Sequence, residues 1–78
     1  MIDVCKILYE ISEDDSVLDP DCELIESGIL DSFVFILFFS KLEDLGIEIS
    51  PTRINKEVLK TPRRIQKYLD EYLKNKNN

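Results

Sequence analysis

The feature that most limits the fold of this chain is a run of seven apolar residues, Phe33–Phe39. Composition alone would allow a buried strand, but Asp31-Ser32 immediately before the run is a good N-terminal cap for a helix. Apolar residues continue at helical spacing to Leu45, and Gly46 then fits a C-terminal cap. The pattern therefore predicts a helix that is apolar on every side of its first two turns. Its predicted inward stripe is Phe35, Phe38 or Phe39, Leu42 and Leu45.

Two further segments have the spacing of amphipathic helices, one at residues 2–11 and one after Thr61-Pro62. A capping threonine followed by proline at the first helical position is a typical start signal. A short helix of one or two turns is predicted at residues 54–59. Together these elements predict a small all-α bundle of three longer helices and one short one. The predicted inward residues are Val4, Ile7, Leu8 and Ile11, then Ile54, Val58 and Leu59, then Ile65, Leu69 and Tyr72.

The chain of 78 residues is the size of a single domain. We predict an ordered core at about 2–73 and a frayed tail at 74–78. The acidic connection between the first two helices has nearly twenty residues without predicted regular structure. Loops of that length are usually functional, and Leu24, Ile25 and Ile29 indicate that this one crosses the core.

Composition excludes several classes of function. The net charge of −6 argues against nucleic acid as a partner, and histidine, the commonest general base, is absent. A domain this small has little room for a catalytic cleft, so an enzyme is not expected. No apolar run approaches the roughly 20 residues of a membrane span, and no signal peptide is recognised. Two cysteines, Cys5 and Cys22, are too few for a disulfide framework, which favours reduced thiols in the cytoplasm.

The charges are unevenly distributed along the chain. Thirteen of the sixteen acidic residues precede residue 49, and eight of the ten basic residues follow it. Such asymmetry can pair the basic face of the last helix with the acidic connection, or it can present an acidic face to a basic partner. The alternative is that these charges only form a solvated surface.

The acidic stretch at 14–26 does not match a calcium-binding loop. An EF-hand loop needs glycine at its sixth position and glutamate at its twelfth. Counted from Asp19, these positions are Leu24 and Leu30, and a frame from Asp14 fails in the same way. No metal site is predicted.

The most informative stretch is residues 23–32, which ends where the second helix begins. Gly28 allows a positive φ angle and hence a sharp turn into the helix. A hydroxyl at Ser32 is well placed to carry a phosphate ester, because free N–H groups and the helix dipole favour negative charge there. The alternative is that Asp31 and Ser32 only cap the helix.

The sequence Glu-Ser-Gly-Ile-Leu-Asp-Ser-Phe at 26–33 resembles the attachment motif of phosphopantetheine-dependent carrier proteins, usually Asp-Ser-Leu. The long–long–short–long order of helices over 2–73 is also similar to that acyl-carrier-protein family. The resemblance implies that Ser32 is esterified with 4′-phosphopantetheine, with Asp31 and Gly28 supporting the site. A separate phosphopantetheinyl transferase would take the arm from coenzyme A with the help of Mg²⁺. The arm would then hold an acyl or aminoacyl group as a thioester.

Residues 23–32, and 54–56 ahead of Thr61-Pro62, look like those of D-alanyl carrier proteins. This narrower resemblance implies an adenylating ligase that loads D-alanine and a downstream acceptor enzyme in teichoic acid modification. One alternative is an acyl carrier of fatty-acid or polyketide synthesis, loaded by an acyltransferase. Another, of a different class, is a small acidic helical interaction domain in which Ser32 is only a cap.

The second helix departs from that of fatty-acid carriers, which place carboxylates soon after the serine. Here the positions two and five residues after Ser32 are Val34 and Leu37. An exposed apolar patch usually marks a contact surface, so we expect partners to meet an apolar helix start supported by acidic residues further along. The alternative is that the long loop or self-association covers this patch. The predicted partner-binding residues are Phe33, Val34, Ile36, Leu37, Ser40, Glu43 and Asp44.

The phenylalanines also bear on the carried group. In carriers that bury long acyl chains, a cavity opens between the helices close to the position of Phe35. Phe35, with Phe38 and Phe39 behind it, should fill that space. The sequence therefore predicts a small or polar cargo.

Overall fold

The structure, a computed structural model, describes residues 2–76. Its α-helices are α1 (Val4–Ser12), α2 (Ser32–Asp44) and α3 (Pro62–Lys76). No strand occurs within the described range. The predicted all-α fold with three longer helices is confirmed.

The two long connections each contain a short 3-10 helix. The first, Asp15–Leu18, lies in the acidic connection that was predicted to lack regular structure, and that prediction was wrong. The Asp14 carboxylate caps it by accepting the Ser16 N–H at 2.9 Å, and Val17 is fully buried. The second, Val58–Lys60, is shorter than the helix predicted at 54–59.

Side-chain caps set where α1 and α3 begin. Asp3 accepts the N–H of Lys6 at 3.2 Å, and Thr61 accepts the N–H of Arg64 at 3.2 Å. At the other end of α1 the chain leaves through Glu13, whose φ of 56° is in the left-handed region. The predicted start of the last helix at Thr61-Pro62 is confirmed.

One contiguous core is formed by all three α-helices and both connections. The predicted inward faces of α1 and α3 are confirmed, with Ile11 and Tyr72 partly buried at its margin. Leu24 is fully buried, so the acidic connection does cross the core. The buried members are Val4, Ile7, Leu8, Val17, Leu24, Phe38, Phe39, Leu42, Ile47, Ile54, Leu59, Ile65 and Leu69.

Leu45 was predicted to face the core, and this was wrong. Leu45 is the C-cap of α2 and is exposed. The chain turns at Gly46, where φ is 85°, and the N–H of Ile47 returns to the Leu42 carbonyl at 2.9 Å. This closure places Ile47 in the core instead of Leu45.

The end of α3 also differs from the prediction of a frayed tail from residue 74. The helix continues to Lys76. The remaining residues of that predicted tail, 77–78, lie outside the described range.

One exposed ion pair joins the last helix to the acidic connection. The Arg63 guanidinium lies 2.9 Å from the Asp21 carboxylate, and both groups are exposed. The guanidinium holds the pKa of Asp21 below its ordinary value. Exposed pairs of this kind add little to stability.

The two cysteines, Cys5 and Cys22, are free and partly buried. Burial is the main cause that raises the pKa of each thiol, and neighbouring carboxylates add to it. Both thiols are therefore weak nucleophiles near neutral pH.

Candidate functional site

The segment that leads into α2 is anchored at Leu24. Its N–H donates to the Lys60 carbonyl at 2.8 Å, and its own carbonyl accepts the N–H of Leu30 at 2.9 Å. Between these two anchors Gly28 adopts a φ of 80°, a conformation that side-chain-bearing residues rarely adopt. The short loop from Leu24 to Leu30 is thus closed on itself, and α2 begins directly after it.

Asp31 alone caps the N-terminus of α2. It has extended backbone geometry, its carboxylate accepts the N–H of Val34 at 2.9 Å, and its carbonyl accepts the N–H of Phe35 at 2.8 Å. These are the contacts of a normal N-cap residue. The capping role is therefore complete without Ser32.

Ser32 is the first residue of α2, and its side chain is exposed. Its hydroxyl forms no hydrogen bond with any residue in the range 2–76. The hydroxyl lies beside free N–H groups at the positive end of the helix dipole, which favours an attached phosphate. The arrangement suits a covalent phosphodiester.

An open groove of about 710 Å³ lies beside Ser32, between the start of α2 and the segment that follows residue 50. Its apolar lining includes the partly buried Phe35 and the buried Ile54 and Leu59. This groove was not predicted, because most of its far wall is an irregular segment whose sequence shows no apolar periodicity. The residues of that wall are Pro51, Thr52, Ile54, Lys56 and Leu59.

The outward face of α2 is apolar at its start. Phe33 is 68% exposed and Ile36 is 66% exposed, and Leu37 is partly exposed. Because residues three or four apart share a helix face, this patch runs into the exposed Ser40. Glu43 and Asp44 are exposed at the far end of the same helix. We call Phe33, Ile36 and Leu37 the outward apolar patch.

Val34 does not belong to that patch. Only 7% of its surface is exposed, so it offers little area to a partner, and its role in partner binding stays a prediction. Val34 precedes Phe38 by four residues and therefore shares the inward face of the helix.

Three phenylalanine rings of α2 pack against one another. The centroids of Phe35 and Phe39 are 4.9 Å apart, and those of Phe38 and Phe39 are 5.7 Å apart in an edge-to-face arrangement. Phe38 and Phe39 are buried.

Two absences hold for the described part of the chain. No cluster of three potential metal ligands is found among residues 2–76. None of the helices in that range has the length and hydrophobicity needed to cross a membrane.

An all-α chain with a serine at the first position of its second long helix has the architecture of carrier proteins of the acyl-carrier type. No family model matches the sequence. A D-alanyl carrier protein from Abiotrophia defectiva is 35% identical over 68 residues, which cover 85% of this chain and 86% of that protein. The chain belongs to the D-alanyl carrier protein family. Carrier proteins of this kind are not enzymes.

Proposed function

We propose that Ser32 carries a 4′-phosphopantetheine arm, and that the chain thereby holds an acyl or aminoacyl group as a thioester. The observation that supports this most is the Ser32 hydroxyl, which is exposed and forms no hydrogen bond with any residue in the described range, while the Asp31 carboxylate caps α2. Asp31 fixes the helix end that presents the serine. Gly28 shapes the loop before it, through its positive φ.

The attachment step makes one bond and breaks one. Ser32 Oγ attacks the pantetheine-bearing phosphorus of coenzyme A, the adenosine bisphosphate part leaves, and the serine proton passes to a base of the phosphopantetheinyl transferase. Mg²⁺ on the transferase neutralises the pyrophosphate. Backbone N–H groups at the start of α2 stabilise the new phosphodiester. Once attached, the arm supplies the thiol that forms the thioester.

The test is the intact mass of the full chain after incubation with coenzyme A, Mg²⁺ and a broad-specificity phosphopantetheinyl transferase. We expect a gain of one phosphopantetheine in the parent chain and none in Ser32→Ala. Ser16→Ala, which removes an exposed hydroxyl of the acidic connection away from α2, should gain the arm like the parent. No gain in a folded parent chain, with a known carrier modified in the same tube, would favour the protein-interaction domain in which Ser32 only starts the helix.

We propose that the cargo is D-alanine, delivered through a downstream acceptor enzyme to teichoic acid. The name of the relative from Abiotrophia defectiva supports this assignment. The packing of the Phe35, Phe38 and Phe39 rings supports it too, because we expect these rings to leave little room between the helices for a long acyl chain. A fatty-acid or polyketide carrier is the alternative with the same attachment chemistry.

The cargo is tested by loading the arm-bearing chain with ATP and an adenylating D-alanine ligase. We expect one alanyl group per arm from D-alanine and much less from L-alanine. Efficient loading by a fatty-acid ligase or acyltransferase, with contacts between the fatty tail and Phe38 that are protected from solvent, would contradict this cargo.

We propose that the loading ligase and the transferase contact the outward apolar patch, with Ser40, Glu43 and Asp44 at its border. Ile36→Glu tests this, because it places a charge in a surface that must lose water on binding. We expect the affinity for the ligase to fall about tenfold or more, or about 1.4 kcal/mol. Tyr9→Glu, at an exposed aromatic of α1, is the control and should bind like the parent. Equal affinities for Ile36→Glu and the parent would remove this patch from the interface.

We place this function in the cytoplasm. Two free thiols are typical of a reducing compartment. Coenzyme A and ATP, which the transferase and the ligase consume, would be drawn from the same compartment.

A further inference from the structure

The groove beside Ser32 carries one unpaired positive charge. Of the described residues that line it, Asp31 and Lys56 are the charged ones. The Asp31 carboxylate already accepts the N–H of Val34 at 2.9 Å. The Lys56 side chain is exposed and forms no ion pair or hydrogen bond with any residue in the range 2–76.

The carboxylate nearest to Lys56 in sequence is held by other cations. Glu57 Oε2 lies 3.1 Å from Lys60 Nζ and 3.2 Å from Arg64 Nη1. These two cations lower the pKa of Glu57 and keep it ionised. Glu57 is thereby engaged on the side of α3, which leaves Lys56 available to an anion in the groove.

The backbone that carries Lys56 is fixed. Asn55 Oδ1 accepts the N–H of Glu57 at 2.9 Å, and the Lys56 carbonyl accepts the N–H of Leu59 at 3.0 Å. Leu59 is buried in the core. The position of Lys56 at the groove is therefore set by the fold, and only its side chain has to adjust to a ligand.

Much of the groove lining is apolar, and it includes Phe35, Ile54 and Leu59. Its volume of about 710 Å³ is within the usual range of small-ligand sites, roughly 300–1,000 Å³. A ligand that suits both features has one negative charge at one end and a slender body whose apolar parts can lie on this lining. A phosphodiester-linked pantetheine chain has this form.

We infer that Lys56 is a positioning residue for the arm: its ammonium group pairs with the phosphodiester on Ser32 and lays the arm along the groove, away from the outward apolar patch. The inference rests on the proposed attachment at Ser32. Its consequence is that the outward apolar patch stays open for partner enzymes while the arm is docked. The thiol end then lies over Phe35, Ile54 and Leu59.

The test compares the backbone amide spectra of the ¹⁵N-labelled full chain with and without the arm, after intact mass has shown complete modification. Beyond the immediate neighbours of Ser32, we expect the largest shifts at Thr52, Ile54 and Lys56. In arm-bearing Lys56→Gln these shifts should be lost. Lys67→Gln, an exposed lysine on α3 outside this groove, should retain them.

Salt gives a second readout on the same sample. At about 1 M salt the attraction between exposed charges is largely screened. Salt should therefore reduce the chemical-shift changes that the arm causes at Thr52 and Lys56 in the parent chain. In Lys56→Gln, which has no ammonium group to be screened, salt should have little effect on the signal of Thr52.

Two results would overturn the inference while leaving the carrier function intact. One is a set of shifts confined to the first turn of α2 or spread over Phe33 and Ile36. The other is the same shifts in Lys56→Gln as in the parent chain. A missing mass gain would instead contradict the carrier function, and this inference with it.

Discussion

Helices α1 and α2 begin alike and pack into the same core, but their outward faces differ. Each starts with an aspartate that caps its first turn, Asp3 for α1 and Asp31 for α2. On α1 the residues away from the core include the charged Lys6 and Glu10. On α2 the corresponding surface is the outward apolar patch.

The difference distinguishes apolar surface that the core requires from apolar surface that the core does not use. An amphipathic helix like α1 already satisfies the core with one face. The inward face of α2 does the same with Phe38, Phe39 and Leu42. Burying a large apolar side chain is worth about 1.5–3 kcal/mol, and the outward apolar patch does not gain this within the monomer. Burial against the proposed partner enzymes would account for its apolar character.

The largest predicted effect is a difference in the free energy of unfolding between substitutions on the two faces of α2. Phe38→Ala should lower the free energy of unfolding by about 3–5 kcal/mol, which is comparable to the whole stability expected of so small a core. Ile36→Ala, on the outward face, should change it by less than about 0.5 kcal/mol. Urea denaturation followed by circular dichroism measures both. A similar loss in both variants would mean that the outward apolar patch is part of the core.

The two capping residues, Asp3 and Asp31, allow a test of whether Asp31 also contributes to attachment of the arm. Asp3→Ala and Asp31→Ala should each destabilise the chain by about 1 kcal/mol, because each leaves one N–H at a helix start without its acceptor. The rate of phosphopantetheine attachment, measured by intact mass below the melting temperature, should fall only in Asp31→Ala. Equal attachment rates in the two variants would reduce Asp31 to an ordinary cap.

The C-terminal ends of the two helices predict changes of opposite sign. Gly46 follows α2 with a φ of 85°, and Gly46→Ala should destabilise the chain by about 1 kcal/mol, although no described atom outside Gly46 and its two chain neighbours lies within 4 Å of the added methyl group. Glu13 follows α1 with a φ of 56°, and Glu13→Gly should stabilise it by about 1 kcal/mol or less. Thermal melts of the two variants against the parent decide the signs. A loss of stability in Glu13→Gly would show that the glutamate has a compensating contact.

The smallest predicted effect belongs to the ion pair of Asp21 and Arg63, which lies outside both helices. The pKa of Asp21 is lowered in the folded chain, so the pair contributes stability above the pKa of unfolded aspartate, near about 3.9. That contribution is lost as the pH falls through the lower pKa of the folded state. The small stability difference between the parent and Asp21→Asn should therefore vanish in acid and in high salt. A difference that persists in acid would contradict this origin.

Local signals explain why the start of α2 and the turn before it could be predicted from the sequence. The start of α2 depends on Asp31 and on the helical residues that follow it directly, and the cap that was predicted there is the one observed. The turn at Gly28 depends on a single glycine, and its φ is indeed positive. The resemblance to carrier proteins used the same contiguous residues, and the similarity to the D-alanyl carrier protein agrees with it.

The features that the sequence analysis missed depend on contacts between distant segments. Ile47 replaces Leu45 in the core because of a turn closure, which helical periodicity does not describe. Val17 is buried within a 3-10 helix that is too short to show a period. Lys56 comes to the groove from a segment about two dozen residues after Ser32, and only the folded chain brings the two together.

The anchoring of Leu24 has a mechanical consequence. An enzyme that held the proposed group on Ser32 would pull on the short stretch of backbone between Leu30 and α2. That load would pass through the hydrogen bond from Leu30 to Leu24, and from Leu24 to the carbonyl of Lys60 in the 3-10 helix just before α3. The attachment loop is thus secured to the segment that leads into the last helix as well as to α2. A partner could then draw the group toward its active site without detaching this loop from the rest of the bundle.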